Sequence, residues 1–119
     1  MFKYTGKYQE KPEDNIPDVK VGDGVTEVCG SLKIPYKVIG IKRDGKELII
    51  QKYDTEIIGP CNFGDILTSD NGSIMILEAT GEIKSITLRK SGNYSEKGVQ
   101  GSYRFFTIGK AFARVDLGL

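Results

Sequence analysis

The stretch PYKVIGIKRDGKELIIQKYD, residues 35–54, decides the fold. Two runs rich in Val, Ile and Tyr flank Arg43-Asp44-Gly45-Lys46. Asp-Gly between such runs is the strongest short-range hairpin signal, because both residues tolerate the positive φ of a turn whose twist matches its strands. The stretch therefore predicts two antiparallel strands joined tightly, and the remaining chain is read against that pair.

Toward the C-terminus, residues 54–72 (DTEIIGPCNFGDILTSDNG) read as irregular, with Gly59-Pro60 and Asp70-Asn71-Gly72 as breakers. A loop of that length in a small domain is expected to be functional or part of an interface. SIMILEA then predicts a buried strand, Thr80-Gly81-Glu82 a turn, and IKSITLRK a further strand. In that strand the period of two puts Ile86 and Leu88 on the core face and Thr87 and Arg89 on the other. A Ser-Gly-Asn turn leads into a partner strand, YRFFTIG is the next, and the chain closes with KAFARVDLGL.

Toward the N-terminus, VKVGDGVTEVCGS predicts a short strand, a turn at Gly22-Asp23-Gly24 and a second strand. Residues 9–18 carry two prolines and four acids and read as a linker. Phe2, Tyr4, Gly6 and Tyr8 alternate with Lys3, Thr5 and Lys7 as an edge strand would, suited to exchange with a neighbouring subunit. Residues 1–18 are thus expected to be edge strand and linker, and residues 19–119 one β-barrel domain. Fifteen glycines in 119 residues, about twice the usual share, and no sustained helical period give an all-β class: a small SH3-like barrel or sandwich of short antiparallel strands.

Composition narrows function. The chain has no histidine, the commonest general base and metal ligand, so triad and zinc chemistry are not expected. Cys29 and Cys61 are too far apart for a C-x-x-C motif and read as reduced, buried thiols of a cytoplasmic protein. A net charge of +1 gives no reason to expect long nucleic acid on the surface, and MFKYTGKYQEKPEDN has no apolar run for a leader or a membrane span. Asp23, Asp44 and Asp70 sit in turn contexts, Ser69-Asp70-Asn71-Gly72 lacks the ligand alternation of a calcium loop, and Gly98-Val99-Gln100-Gly101 has neither the lysine nor the helix of a phosphate loop. No metal and no cofactor is expected.

One cluster stands out. Arg89, Lys90, Tyr94, Lys97, Tyr103, Arg104, Phe105, Phe106 and Lys110 fall on consecutive antiparallel strands, so several must be neighbours. Cationic groups hold phosphates and aromatic faces stack bases. A solvated sheet face with scattered lysines is the plainer explanation of the same residues.

The stretches VKVGDGVTEVCGSLKIPYKVIGI, GEIKSITLRKSGNYSEKG and IGKAFARVDLGL resemble, in order and spacing, a family of small phage and prophage proteins. That family carries a V-G-x-G-x-T strand, an S-D-R-x-P-like turn, an L-R-K-x-G-x-W-x-x-K-G hairpin and a G-x-R-x-x-Y-x-D-x-S-F-like tail. The resemblance spans most of residues 19–119. Leu88, Arg89, Lys90, Gly92, Lys97 and Gly98 fit the hairpin and Tyr94 stands at its tryptophan. Leu32 and Lys33 replace the acid–arginine pair of the turn, Ala111 or Phe112 the tail arginine, and Leu119 the terminal aromatic.

The family is similar in turn to phage sponge proteins that sequester cyclic dinucleotide signals of bacterial CBASS defence, which are β-rich tetramers that bind without cleaving. The resemblance implies a cytoplasmic, homo-oligomeric anti-defence protein, not an enzyme, acting in the infected host. Arg89 and Lys97 would hold phosphates, Tyr36, Tyr94 or Phe106 would stack a base, Thr26 and Ser31 would hydrogen-bond base or ribose edges, and Lys33 and Arg104 would belong to the same ligand site. A single-stranded nucleic-acid binder and a phage protein-interaction or structural module are the alternatives.

Overall fold

The computed structural model describes residues 17–59, 64–98 and 104–117. The edge strand expected at Phe2–Tyr8, most of the linker, Cys61, Tyr103 and most of the Gly98–Gly101 loop lie outside them.

Among the described residues eight strands form one antiparallel sheet: β1 (Gly24–Cys29), β2 (Leu32–Lys42), β3 (Glu47–Ile57), β4 (Ile66–Thr68), β5 (Ile74–Leu88), β6 (Tyr94–Glu96), β7 (Phe105–Gly109) and β8 (Arg114–Asp116). Their order is β1-β7-β6-β5-β3-β2-β8-β4, and β1 also pairs with β2. That extra pairing closes β1, β7, β6, β5, β3 and β2 into a six-stranded ring, which leaves those strands no open edge along the closure. The expected all-β barrel is what forms.

The Asp-Gly signal holds. Arg43, Asp44 and Gly45 all take positive φ, at 53°, 58° and 97°, and swing β2 into β3. Inside the ring, Val25, Tyr36, Val38, Leu48, Ile50, Ile86, Tyr94 and Phe106 form the core. Tyr36 and Phe106 meet edge to face with centroids 5.8 Å apart, the favoured geometry for aromatic quadrupoles. The β6–β7 seam is a single register pair, Tyr94 opposite Phe106, so these two rings also fasten the barrel at its thinnest joint.

Four local expectations change, the first being that residues 66–68, read as irregular, form β4 against β8. Thr80-Gly81-Glu82 is not a turn: β5 runs unbroken for 15 residues and absorbs the extra length in register shifts opposite Gln51 to Thr55. A Cβ at Gly81 would lie 3.1 Å from the Lys52 carbonyl oxygen, so this glycine marks a close approach of strands. Residues 54–57, read as irregular, continue β3, because Ile76, Met75 and Ile74 pair with Thr55, Glu56 and Ile57. Val19–Val21 is not a strand: Gly22 donates to the Val38 carbonyl and Val38 donates to the Asp23 carbonyl, folding the segment back on β2.

Beyond Lys52, β3 leaves β2 and follows β5 into an arm; β8 takes the β2 edge that β3 vacates, and β4 pairs with the far side of β8. Leu67, Ile74 and Ala113 make a second, smaller core there.

Candidate functional site

The β5–β6 hairpin splits the expected cluster in two. Ile86 pairs with Glu96, Thr87 with Ser95 and Leu88 with Tyr94, and residues paired across antiparallel strands share a face. Ile86, Leu88 and Tyr94 turn inward; Thr87, Ser95, Arg89 and Lys97 turn outward.

On the outer face, Glu47 is opposite Thr87 and is only 4% exposed despite carrying a carboxylate. The Ser85 hydroxyl donates to its Oε2 at 2.7 Å, the Lys97 ammonium donates to the same oxygen at 3.1 Å, and Arg43 Nη1 lies 3.9 Å from Oε1. Those bonds, the Ser85 hydroxyl first and Lys97 second, hold its carboxyl below the ordinary range despite the opposing effect of burial. Lys42 is its register partner on β2. Arg89 Nε donates to the Ser95 hydroxyl at 3.1 Å and Nη2 to the Glu96 carbonyl at 3.2 Å, which fixes the guanidinium against the hairpin. Lys42, Arg43, Arg89 and Lys97 thus stand with Ser85, Thr87 and Ser95 on one outer surface around a single covered carboxylate. Such a surface presents charge-assisted donors to an anion.

The aromatics lie behind that surface. Tyr36, Tyr94 and Phe106 are 2%, 1% and 2% exposed and show no face on which a base could stack. The Tyr94 hydroxyl donates to the Gly45 carbonyl, tying β6 to the β2–β3 turn. Burial raises the pKa of this phenol, and raises that of Tyr36 still further with help from neighbouring Glu27.

Glu27 is the second buried carboxylate, at the barrel's other end. It accepts from Tyr36 Oη at 2.9 Å, with Arg104 Nη1 at 3.5 Å and Lys84 Nζ at 3.9 Å; Lys84 also reaches Glu96 at 3.5 Å. Arg104 therefore belongs to this mouth of the barrel rather than to the Arg89 surface.

Thr26 has a structural explanation. Its hydroxyl donates to the Lys110 carbonyl at 2.6 Å and accepts from the Phe112 N–H at 2.9 Å, clamping the segment after β7 across β1. A Cβ at Gly24 would sit 2.3 Å from the Ala111 nitrogen, so Gly24 and Thr26 of the V-G-x-G-x-T stretch serve one crossing. Ser31 accepts from Arg114 Nη1 through its carbonyl at 2.8 Å, and Lys33 donates to the Gly30 carbonyl at 3.1 Å; both lie at the β1–β2 turn. Of the nine residues expected to bind ligand, only Arg89 and Lys97 come together on one open face.

Glu47, Ser85, Lys42 and Arg43 were not anticipated, although alternation from Leu48 places Glu47 outward. Among the described residues no group of three or more acidic or sulfur ligands could hold a metal ion, and no helix is long and apolar enough to cross a membrane. Comparison with protein-family models, with curated proteins and with solved structures finds no match to this chain.

Proposed function

We propose that the protein is a binding protein without catalytic turnover, that its ligand is a cyclic dinucleotide or related nucleotide signal, and that it sequesters this signal as the phage anti-defence proteins it resembles do. The observation that carries the reading is the outer face of the β5–β6 hairpin. There the two motif cations, Arg89 and Lys97, stand together, with Arg43 and Lys42 beside them and hydroxyls between. A guanidinium already fixed by Ser95 and Glu96 loses little freedom on meeting a phosphate. Because the barrel's rings are internal, base contacts fall to guanidinium planes, which also stack bases.

In this reading the chain works in the cytoplasm of an infected bacterium as a homo-oligomer, a tetramer by resemblance. Exposed Ile58, Met75 and Leu77 on the arm supply apolar surface for assembly. Light scattering at micromolar concentration checks this; a mass near 13.1 kDa contradicts it.

The test of function is a titration calorimetry panel of cyclic and linear nucleotides, followed by heat denaturation and chromatography of the released ligand. Saturable heat and recovery of intact nucleotide support sequestration. Linear product at catalytic turnover removes it, and absence of heat across the panel favours a protein-interaction module. A single-strand binder contacts many phosphates and loses affinity steeply with salt, whereas a site contacting two does not, so a salt series separates the two readings.

A further inference from the structure

The arm and the barrel leave a groove between β2, β3, β5 and β8, at the ends of β2 and β3 away from the Lys42–Glu47 pair. It has a volume of about 220 Å³. Ile34, Pro35, Ile57 and Val115 give it apolar walls, and among the described residues Lys33 and Lys52 are its only charged lining. Among the described residues neither ammonium has a carboxylate within ion-pair distance; Lys33 rests on the Gly30 carbonyl. Thr55 adds a hydroxyl to the wall.

The groove arises from the fold. When β3 follows β5 away from β2 after the Tyr36–Lys52 pair, β8 reaches β2 only at Lys33, and the gap between those two pairings is the concavity. Its position is therefore set by the bulged β3–β5 pairing rather than by a loop.

We propose that this groove is a second ligand site, independent of the outer hairpin face, and that it takes a small organic monoanion with a flat apolar body. Two cations without a carboxylate select negative charge, and the apolar walls select a body that gains by leaving water. The volume is below the roughly 300 to 1,000 Å³ of sites for drug-sized ligands, so the occupant has one or two rings rather than the two bases and two phosphates of a cyclic dinucleotide.

The probe is 2-naphthoate, titrated into the full chain and followed by amide NMR, with neutral 2-naphthamide as its uncharged twin. The expected result is saturable shifts at Lys33, Thr55 and Val115 for naphthoate, with naphthamide at least about tenfold weaker. Lys33→Gln with Lys52→Gln abolishes that preference while leaving the spectrum dispersed, and Lys33→Glu with Lys52→Glu transfers it to 2-naphthylmethylamine. Arg89→Ala leaves naphthoate binding unchanged, which separates this site from the proposed nucleotide site: either can fail alone. Equal binding of naphthoate and naphthamide, shifts confined to residues outside the groove, or groove shifts that follow protein concentration and mark a second copy in it would each overturn the proposal.

Discussion

The two faces of the β5–β6 hairpin share one backbone and differ in everything else. Inward, Ile86 and Tyr94 are sealed in the barrel and Tyr94 fastens both the β6–β7 seam and the β2–β3 turn. Outward, one residue along, Ser85 and Lys97 bond the Glu47 carboxylate, with Arg43 at 3.9 Å, and Arg89 braces itself on Ser95. Arg89 and Lys97 are thus separated from Tyr94 and Phe106, which look like parts of one site in the sequence, by the thickness of a sheet. Their adjacency along the chain reports alternation, and of these four it is Arg89 and Lys97 that stand on the outer surface.

The comparison breaks most easily at its inner side. Tyr94→Ala should lower unfolding free energy by about 3 to 5 kcal/mol, as expected for emptying an aromatic core position. Tyr94→Phe keeps the ring and strands the Gly45 carbonyl, for about 1 to 3 kcal/mol. Urea denaturation measures both; a Tyr94→Ala variant as stable as the parent would place this ring outside the core. Next in size is the β1 clamp, where Thr26→Val removes both bonds to the Lys110–Phe112 segment at an expected loss of about 1 to 3 kcal/mol.

The outer side should answer differently. Arg89→Ala removes contacts that are part-exposed, so its stability loss should be about 1 kcal/mol or less. A fall larger than that of Tyr94→Phe would erase the distinction between the faces.

The smallest effects are in pH. The Glu47 carboxyl is held below its ordinary 4.5, so it contributes stability above that pH and loses it as pH falls through the folded-state value. Glu47→Gln should therefore flatten the acid limb of a stability–pH curve. Tyr36 titrates above its ordinary 10.0, so its neutral form supports the fold below that pH and the support fades as pH rises beyond it. Tyr36→Phe should flatten the alkaline limb, and unchanged limbs in both variants would remove these groups from the account.

Much of this fold was legible. Asp44-Gly45 names its own turn, and the alternation of Ile86, Thr87, Leu88 and Arg89 gives the correct faces, because both signals are local. What failed was non-local. Gly81 reads as a breaker until Lys52 is seen passing close beneath it, and Thr55 to Ile57 read as loop until Ile74 to Ile76 pair with them. The site was legible in half. Tyr94 and Phe106 share the inward parity of Leu88 and Ile108, which was readable, whereas the meeting of Glu47 with Ser85 and Lys97 requires the β3–β5–β6 register. Glu27 carries a missed signal too: it has the parity of core residue Val25, so an inward carboxylate was written in the alternation.

The most direct test of the central claim, that the outer face and not the aromatic face meets ligand, compares the calorimetric affinity of one cyclic dinucleotide for the parent, Arg89→Ala, Lys97→Ala and Tyr94→Phe. The expected result is a loss of about 1.5 to 3 kcal/mol, roughly ten- to hundredfold, for each cation variant and little change for Tyr94→Phe. The contradicting result is the reverse: affinity unchanged without Arg89 or Lys97 and lost with the Tyr94 hydroxyl.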